Sequence, residues 1–194
     1  LHAGSVTTEW RPVPLREGIY HEAQVQFSDG TSRNIPGQTN SPALDIALEV
    51  LSAGGQALIF TETRRSAVEM GRKAALALKG RLSKPEERVL QTLGNRILST
   101  AERTRLSEAL ASQVVSGAAF HHAGLPGPHR TIIEESFREG RIKILAATPT
   151  LAAGVNLPAR AVVVSSYERY EPGYGRYPIS VLEYKQFCGR AGRP

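Results

Sequence analysis

The last nine residues, Gln186-Phe187-Cys188-Gly189-Arg190-Ala191-Gly192-Arg193-Pro194, place two arginines three positions apart among small residues. On a helix that spacing puts both guanidinium groups on one face. Small neighbours allow close approach to a facing surface. Paired guanidiniums suit a phosphate whose charge grows during transfer; they also suit a basic helix end paired with carboxylates. A second block, Ala147 to Ala159, places Thr148, Thr150, Gly154 and Asn156 just after an apolar run. Hydroxyls and free N–H groups at a helix start hold a phosphate oxygen, and the same hydroxyls serve as helix caps. Thr61, Thr63, Arg64 and Arg65 follow another apolar run. They read either as contacts to a phosphate backbone or as a solvated helix start. His121 and His122 are adjacent, so on a strand their rings point apart, and no Cys or acidic cluster completes a zinc site. No metal is expected there. Tyr170, Tyr174 and Tyr177 sit among Pro172, Gly173, Gly175 and Pro178. Their rings could stack on an unpaired base or pack on a surface.

These groups need a scaffold. Gln56 to Phe60, Gly117 to Phe120, Ile142 to Ala147 and Ala161 to Ser166 are short apolar runs, each read as a buried strand. Helical periodicity fills the intervals: Pro42 to Ala53, with Ser41 as N-cap and Gly54-Gly55 as the stop; Arg64 to Lys79; and Pro128 to Arg138. Thr100 is read as the N-cap of a helix reaching Val115, while Ser83-Lys84-Pro85 and Gly94 punctuate the region before it. Alternating strands and helices predict an α/β fold with a mainly parallel sheet, whose ligands sit at the carboxyl ends of the strands. The first forty residues are irregular. Gly18 to Phe27 reads as a strand, and the Ser28-Asp29-Gly30 turn lets Thr31 to Ile35 pair back as a short hairpin.

Together the blocks carry a resemblance. Ala147 to Ala159 resembles motif V, and Gln186 to Arg193 motif VI, of superfamily-two helicases. His121-His122-Ala123-Gly124-Leu125 resembles the motif that precedes them in the Ski-two-like branch, and Leu58 to Arg65 resembles motif IV. Trp10 to Leu15 is similar to the start of this domain in archaeal HELQ-like DNA helicases. The resemblance implies a RecA-like three-layer α/β sandwich over residues 41–194, after a lead-in segment at 1–40. A β-hairpin insertion is expected near 167–178, between the last two motifs. By position, Arg190 and Arg193 match arginines that contact the γ-phosphate, and Gln186 matches a residue coupling nucleotide state to domain closure. Phe187 stands where related families often carry a further arginine. Gly154 and Asn156 match positions facing ATP, Asn156 standing where a ribose-binding Asp is common. Thr61, Thr63, Arg64, His122, Thr148 and Thr150 fall on the DNA side, and His121 reads as structural. The tyrosine hairpin occupies the place of a strand-separating wedge. The implied activity is 3′-to-5′ unwinding of forked DNA, with a first RecA-like domain of the same chain as partner.

Absences bound this reading. No GxxxxGK[ST] phosphate loop and no Asp-Glu-x-His metal motif occur, so ATP and Mg²⁺ belong to a complete enzyme whose metal ligands lie elsewhere. Alone, this segment is expected to be inactive. The stop at Pro194, inside the arginine motif, is expected of a piece of a longer chain. Two alternatives remain open: an RNA helicase of the same branch, and a RecA-like nucleic-acid-binding module with no motor role. Composition agrees with a polyanionic partner, since 24 Lys and Arg outnumber 18 Asp and Glu, for a net charge of +6. Between Thr61 and Ser116 the count is eleven against six. Cys188, the one cysteine, excludes an internal disulfide framework; it reads as a small buried residue, and an intracellular (cytoplasmic or nucleoid-associated) setting is expected. No apolar run is long enough to span a membrane.

Overall fold

The computed structural model describes residues 13–151, 157–171 and 173–192, with the backbone alone at 170 and 171. Four short apolar runs form its centre. β4 (Ala57–Phe60), β5 (Ala118–His121) and β6 (Ile144–Ala147) are buried at every residue, and β7 (Ala161–Val164) lies at one edge. All pair parallel, in the order β5-β6-β4-β7. Phe60 is level with Ala147 and Val164, and His121 with Ala147. The carboxyl ends of all four strands therefore form one rim.

Helices cover both faces, as the expected three-layer α/β sandwich requires. α1 (Pro42–Ser52) and α2 (Arg64–Ala77) bury Leu44, Leu48, Ala74 and Leu78 with Ala57, Ile59, Ile144 and Val163. The alternate strand residues Leu58, Phe60, Leu145 and Ala147 join a larger core. That core draws on α3 (Lys84–Thr100), α4 (Arg105–Val114) and α5 (Gly127–Arg138), and on Phe187 from α6 (Val181–Cys188). This division follows from the period of two along each strand.

Before the sheet lies a small antiparallel meander: β1 (Gly18–His21), β2 (Gln24–Phe27) and β3 (Ser32–Asn34). The expected pairing of the second half of Gly18–Phe27 with Thr31–Ile35 is present, but the single strand expected over Gly18 to Phe27 is not. It folds on itself at Glu22 and Ala23, whose φ values are +45° and +61°. Two-residue hairpin turns need positive φ, and neither residue advertises it as Gly or Asn would. Arg16 joins the β1 end to the next turn, pairing with Asp29 at 3.1 Å and lying over the Phe27 ring at 3.9 Å.

Helix boundaries bring further corrections. Ser41 occupies the N-cap position of α1, with Pro42 following, but its side chain makes no cap bond. Asp45, buried in the first turn, instead accepts from the N–H groups of Gln38 and Thr39 at 3.1 and 2.7 Å and from the Thr39 hydroxyl at 2.8 Å. Ser83-Lys84-Pro85 and Gly94, read as punctuation, belong to the cap and the seventeen residues of α3. Ser83 and Glu86 make a capping box, and Pro85 fits the first turn, where its missing N–H costs nothing. Gly94 lies inside α3 because a Cβ there would come within 2.9 Å of Val115 and 3.3 Å of the Ala111 carbonyl. It permits α3 to cross close over α4. Thr100 ends α3, and the cap of α4 is Thr104, whose hydroxyl accepts from the Ser107 N–H at 3.2 Å.

Candidate nucleic-acid and nucleotide surfaces

The rim gathers the sequence-predicted groups from separate loops. Beyond β4, Thr61 donates its N–H to the Ala147 carbonyl at 2.8 Å, and its hydroxyl points to the same oxygen at 3.4 Å. It is 4% exposed, so it holds β4 to β6 and presents no free hydroxyl to a strand. Thr63 is exposed and caps α2, accepting from the Ser66 N–H at 3.0 Å. Thr63 thus stands at the solvated helix start read for this segment, and the cap fixes its exposed hydroxyl at the positive end of α2. Arg64, also exposed, extends from the first turn of α2 to the loop after β5. Its Nη1 lies 3.2 Å from where a Cβ on Gly124 would stand, so Gly124 leaves it room.

His122 is buried beneath that guanidinium. Its Nδ1 accepts the Gly124 N–H at 3.1 Å, which places its proton on Nε2. Burial first, and then the Arg64 charge, hold its pKa below the usual histidine value. The ring is therefore neutral at pH 7 and stacks beside Phe120 at 5.5 Å. His121 faces elsewhere, as adjacency on a strand required. Its Nε2 meets Glu134 of α5 at 2.9 Å, and its carbonyl accepts the Thr148 N–H at 3.2 Å. Glu134 carried no motif signal in sequence. Among the described residues no group of His, Cys, Asp and Glu could hold a metal ion.

After β6, Thr148 and Thr150 share a hydroxyl–hydroxyl bond of 3.0 Å. Thr148 is buried, while Thr150 is exposed at the start of a helical turn. Gly154 and Asn156 lie outside the described residues.

α6 packs beside the rim at Phe187, and the turn after it pairs with Ala159, ahead of β7. Ser180 caps it, accepting the Glu183 N–H at 3.2 Å. Phe187 is buried and stacks on Phe60 with ring centroids 4.2 Å apart, anchoring the helix to the end of β4. An arginine at that position would have placed a charge in the core. Cys188 is buried too, and burial pushes its thiol pKa up, so it stays protonated. Gln186 projects on the exposed side. The helix stops at Cys188, so the expectation of Arg190 and Arg193 on one helical face is corrected. Arg190 lies in the turn beyond Gly189, where its carbonyl accepts the Ala159 N–H at 2.9 Å. Ala191 bridges to Ala159, and Gly192 then takes φ +92°. This backbone pairing holds the half-buried Arg190 against Ala159, just ahead of β7. Arg193 lies outside the described residues.

The expected hairpin is present as β8 (Glu168–Glu171) and β9 (Gly175–Pro178), with Arg169 opposite Tyr177 and Tyr170 opposite Arg176. Tyr174 stands at the tip, 83% exposed, and Tyr177 is half-buried. The side chain of Tyr170 lies outside the described residues. No helix among the described residues is long and apolar enough to cross a membrane.

Comparison with known proteins identifies the family. The family described as the helicase conserved C-terminal domain matches residues 83–194. The chain is similar to proteins named ATP-dependent DNA helicase Hel308. It is 44% identical to that of Pyrobaculum calidifontis over 196 residues, covering 100% of this chain and 27% of that protein. With that of Aeropyrum pernix it shares 50% identity over 189 residues, covering 97% of this chain and 25% of that protein. With that of Caldivirga maquilingensis it shares 44% over 203 residues, covering 100% and 26%. The chain thus spans about a quarter of the length of these relatives.

Proposed function

This chain belongs to the helicase conserved C-terminal domain family, in the Ski-two-like branch of superfamily two, and from that premise we propose that it is the second motor domain of an ATP-dependent, 3′-to-5′ DNA helicase. What carries the reading is the convergence of three loops on one rim. Arg64 from the β4 loop, His122 and Gly124 from the β5 loop, and Thr148 and Thr150 from the β6 loop lie along it, while Arg190 is held apart from it, beside Ala159 ahead of β7. Parallel sheets bind ligands at this edge.

Two polyanions are bound on separate surfaces. A single DNA strand runs over Thr63, Arg64, Thr150 and the loop that His122 holds, its phosphates meeting hydroxyls, a helix N-terminus and a guanidinium. Thr61 and Thr148, both buried, shape the loops from beneath. ATP lies toward Arg190 and Arg193, with Gln186, Gly154 and Asn156 beside it. This chain supplies cationic donors for the transferring phosphate and no phosphate loop, so it forms half of a site completed by a first RecA-like domain that also holds Mg²⁺. Arginine charge aimed at the developing negative charge lowers the barrier without reorganisation. Closure of the two domains moves the strand contacts here relative to those opposite, and the tyrosine hairpin meets the duplex junction.

The test is unwinding by the complete protein of duplexes bearing 3′ or 5′ single-stranded tails, in DNA and in RNA. ATP-dependent opening of 3′-tailed DNA is expected. Preference for RNA would move the assignment to an RNA helicase, and binding without ATP turnover would reduce it to a non-motor module.

A further inference from the structure

The hairpin is fastened to the rest of the chain by ion pairs that no motif announces. Only Ile179 and Ser180 separate β9 from α6. The Ile179 N–H donates to the Tyr167 carbonyl at 2.8 Å and closes the foot of the hairpin, so β8, β9 and α6 share one root. Left there, the hairpin would pivot about this two-residue joint. Arg169 of β8 spans the joint, its guanidinium donating to the carboxylate of Glu183 in the first turn of α6. The Glu183 side chain is 18% exposed and that of Arg169 41%. The pair is therefore partly withdrawn from water, where screening is weaker than on an open surface. Glu183 also sits at the positive end of its helix. Arg176 of β9 reaches Glu168 at 3.7 Å and Glu62 at 3.9 Å, but with its side chain 61% exposed it adds little.

We infer that Arg169 and Glu183 are positioning residues that lock the hairpin and α6 into one rigid unit. The hairpin then moves with α6, the helix that precedes the Arg190 turn, and nucleotide-driven displacement of α6 is delivered to the duplex junction. Neither side chain is among the residues assigned to ATP or DNA. The inference rests on the proposed function and adds to it the link between its two halves.

The experiment uses the complete protein and two readouts, ATP turnover stimulated by single-stranded DNA and unwinding of a 3′-tailed duplex. Arg169→Ala and Glu183→Gln should keep turnover within about two-fold and lower unwinding about ten-fold, a split that a folding defect would not produce. The reversed pair, Arg169→Glu with Glu183→Arg, should regain part of the lost unwinding. Wild-type unwinding in the single variants would overturn the inference. So would a parallel loss of turnover, or a reversed pair no better than the single variants. A wild-type protein that turns over ATP but opens no duplex would overturn the proposed function itself, and the locking role with it.

Discussion

The parallel sheet and the antiparallel ribbons of this chain are positioned by different physics. β4, β5 and β6 have every residue buried, and helices press on both faces. β1, β2 and β3 contain no buried residue, and β9 alternates between half-buried and exposed. The sheet is held by apolar contact from two sides, which leaves its rim little freedom. The ribbons are held by turn geometry and ion pairs at their roots. Groups that must stay in register with a phosphate therefore belong on the rim. A part that must swing or wedge is suited to a ribbon. The rim loops and the β8–β9 hairpin fall on these two sides.

Substitutions can break or sharpen that contrast. The largest effect is expected at Phe187, which belongs to the scaffold although it lies in the arginine motif. Phe187→Ala removes the stack on Phe60 and should cost about 3 kcal/mol in denaturant unfolding. A loss below about 1 kcal/mol would mean that α6 is not anchored to the sheet. Thr63→Ala should cost about 1 kcal/mol, the worth of a helix cap, and should also weaken single-strand binding. Thr63→Ser should restore stability, which separates the cap from any general disturbance.

A smaller effect is expected at Glu86. It caps α3 and pairs with Lys143 at 2.9 Å. The Lys143 hydrogen bond first, and then the Ser83 N–H and hydroxyl, pull its carboxyl from 4.5 to about 2. A folded-state pKa lowered in this way stabilises the protein above the unfolded value, and that contribution is lost as pH falls from about 4.5 to about 2. Glu86→Gln should therefore flatten the acid limb of the stability profile in this window, with thermal melts as the measure. An unchanged profile would show the pair to be too solvated to matter. Smallest of all, Tyr174→Ala at the exposed tip should leave stability within about 0.5 kcal/mol while slowing duplex opening. A large stability loss there would contradict the division between scaffold and ribbon.

Much of the scaffold was legible in the residues. Apolar runs such as Ala57–Phe60 and Ile144–Ala147 are too short for helices and too apolar for exposed strands, so they mark a buried parallel sheet. Once that sheet is in place, the polar residues after each strand must share an edge. Other features depend on contacts that sequence does not display. Gly94 reads as a break, yet it marks a close helix crossing, seen only once Ala111 and Val115 lie opposite. The turn at Glu22 and Ala23 has no Gly or Asn to announce it. Spacing alone suggested that Arg190 continued a helix, but Gly189 ends α6 and the Ala159 pairing redirects the chain. The buried hydroxyl of Thr61 and the Arg169–Glu183 tie depend on partners distant in sequence.

Separate surfaces for the two polyanions are tested most directly by titrating single-stranded DNA into the complete protein and following ATP turnover in wild type, Arg64→Ala and Arg190→Ala. Arg190→Ala should lower the turnover plateau about a thousand-fold, as loss of an arginine finger does, with the half-saturating DNA concentration unchanged. Arg64→Ala should raise that concentration about five-fold, as loss of one phosphate contact does, and leave the plateau in place. If both variants shift the same parameter, or if Arg190→Ala turns over like wild type, the two surfaces are not divided as described.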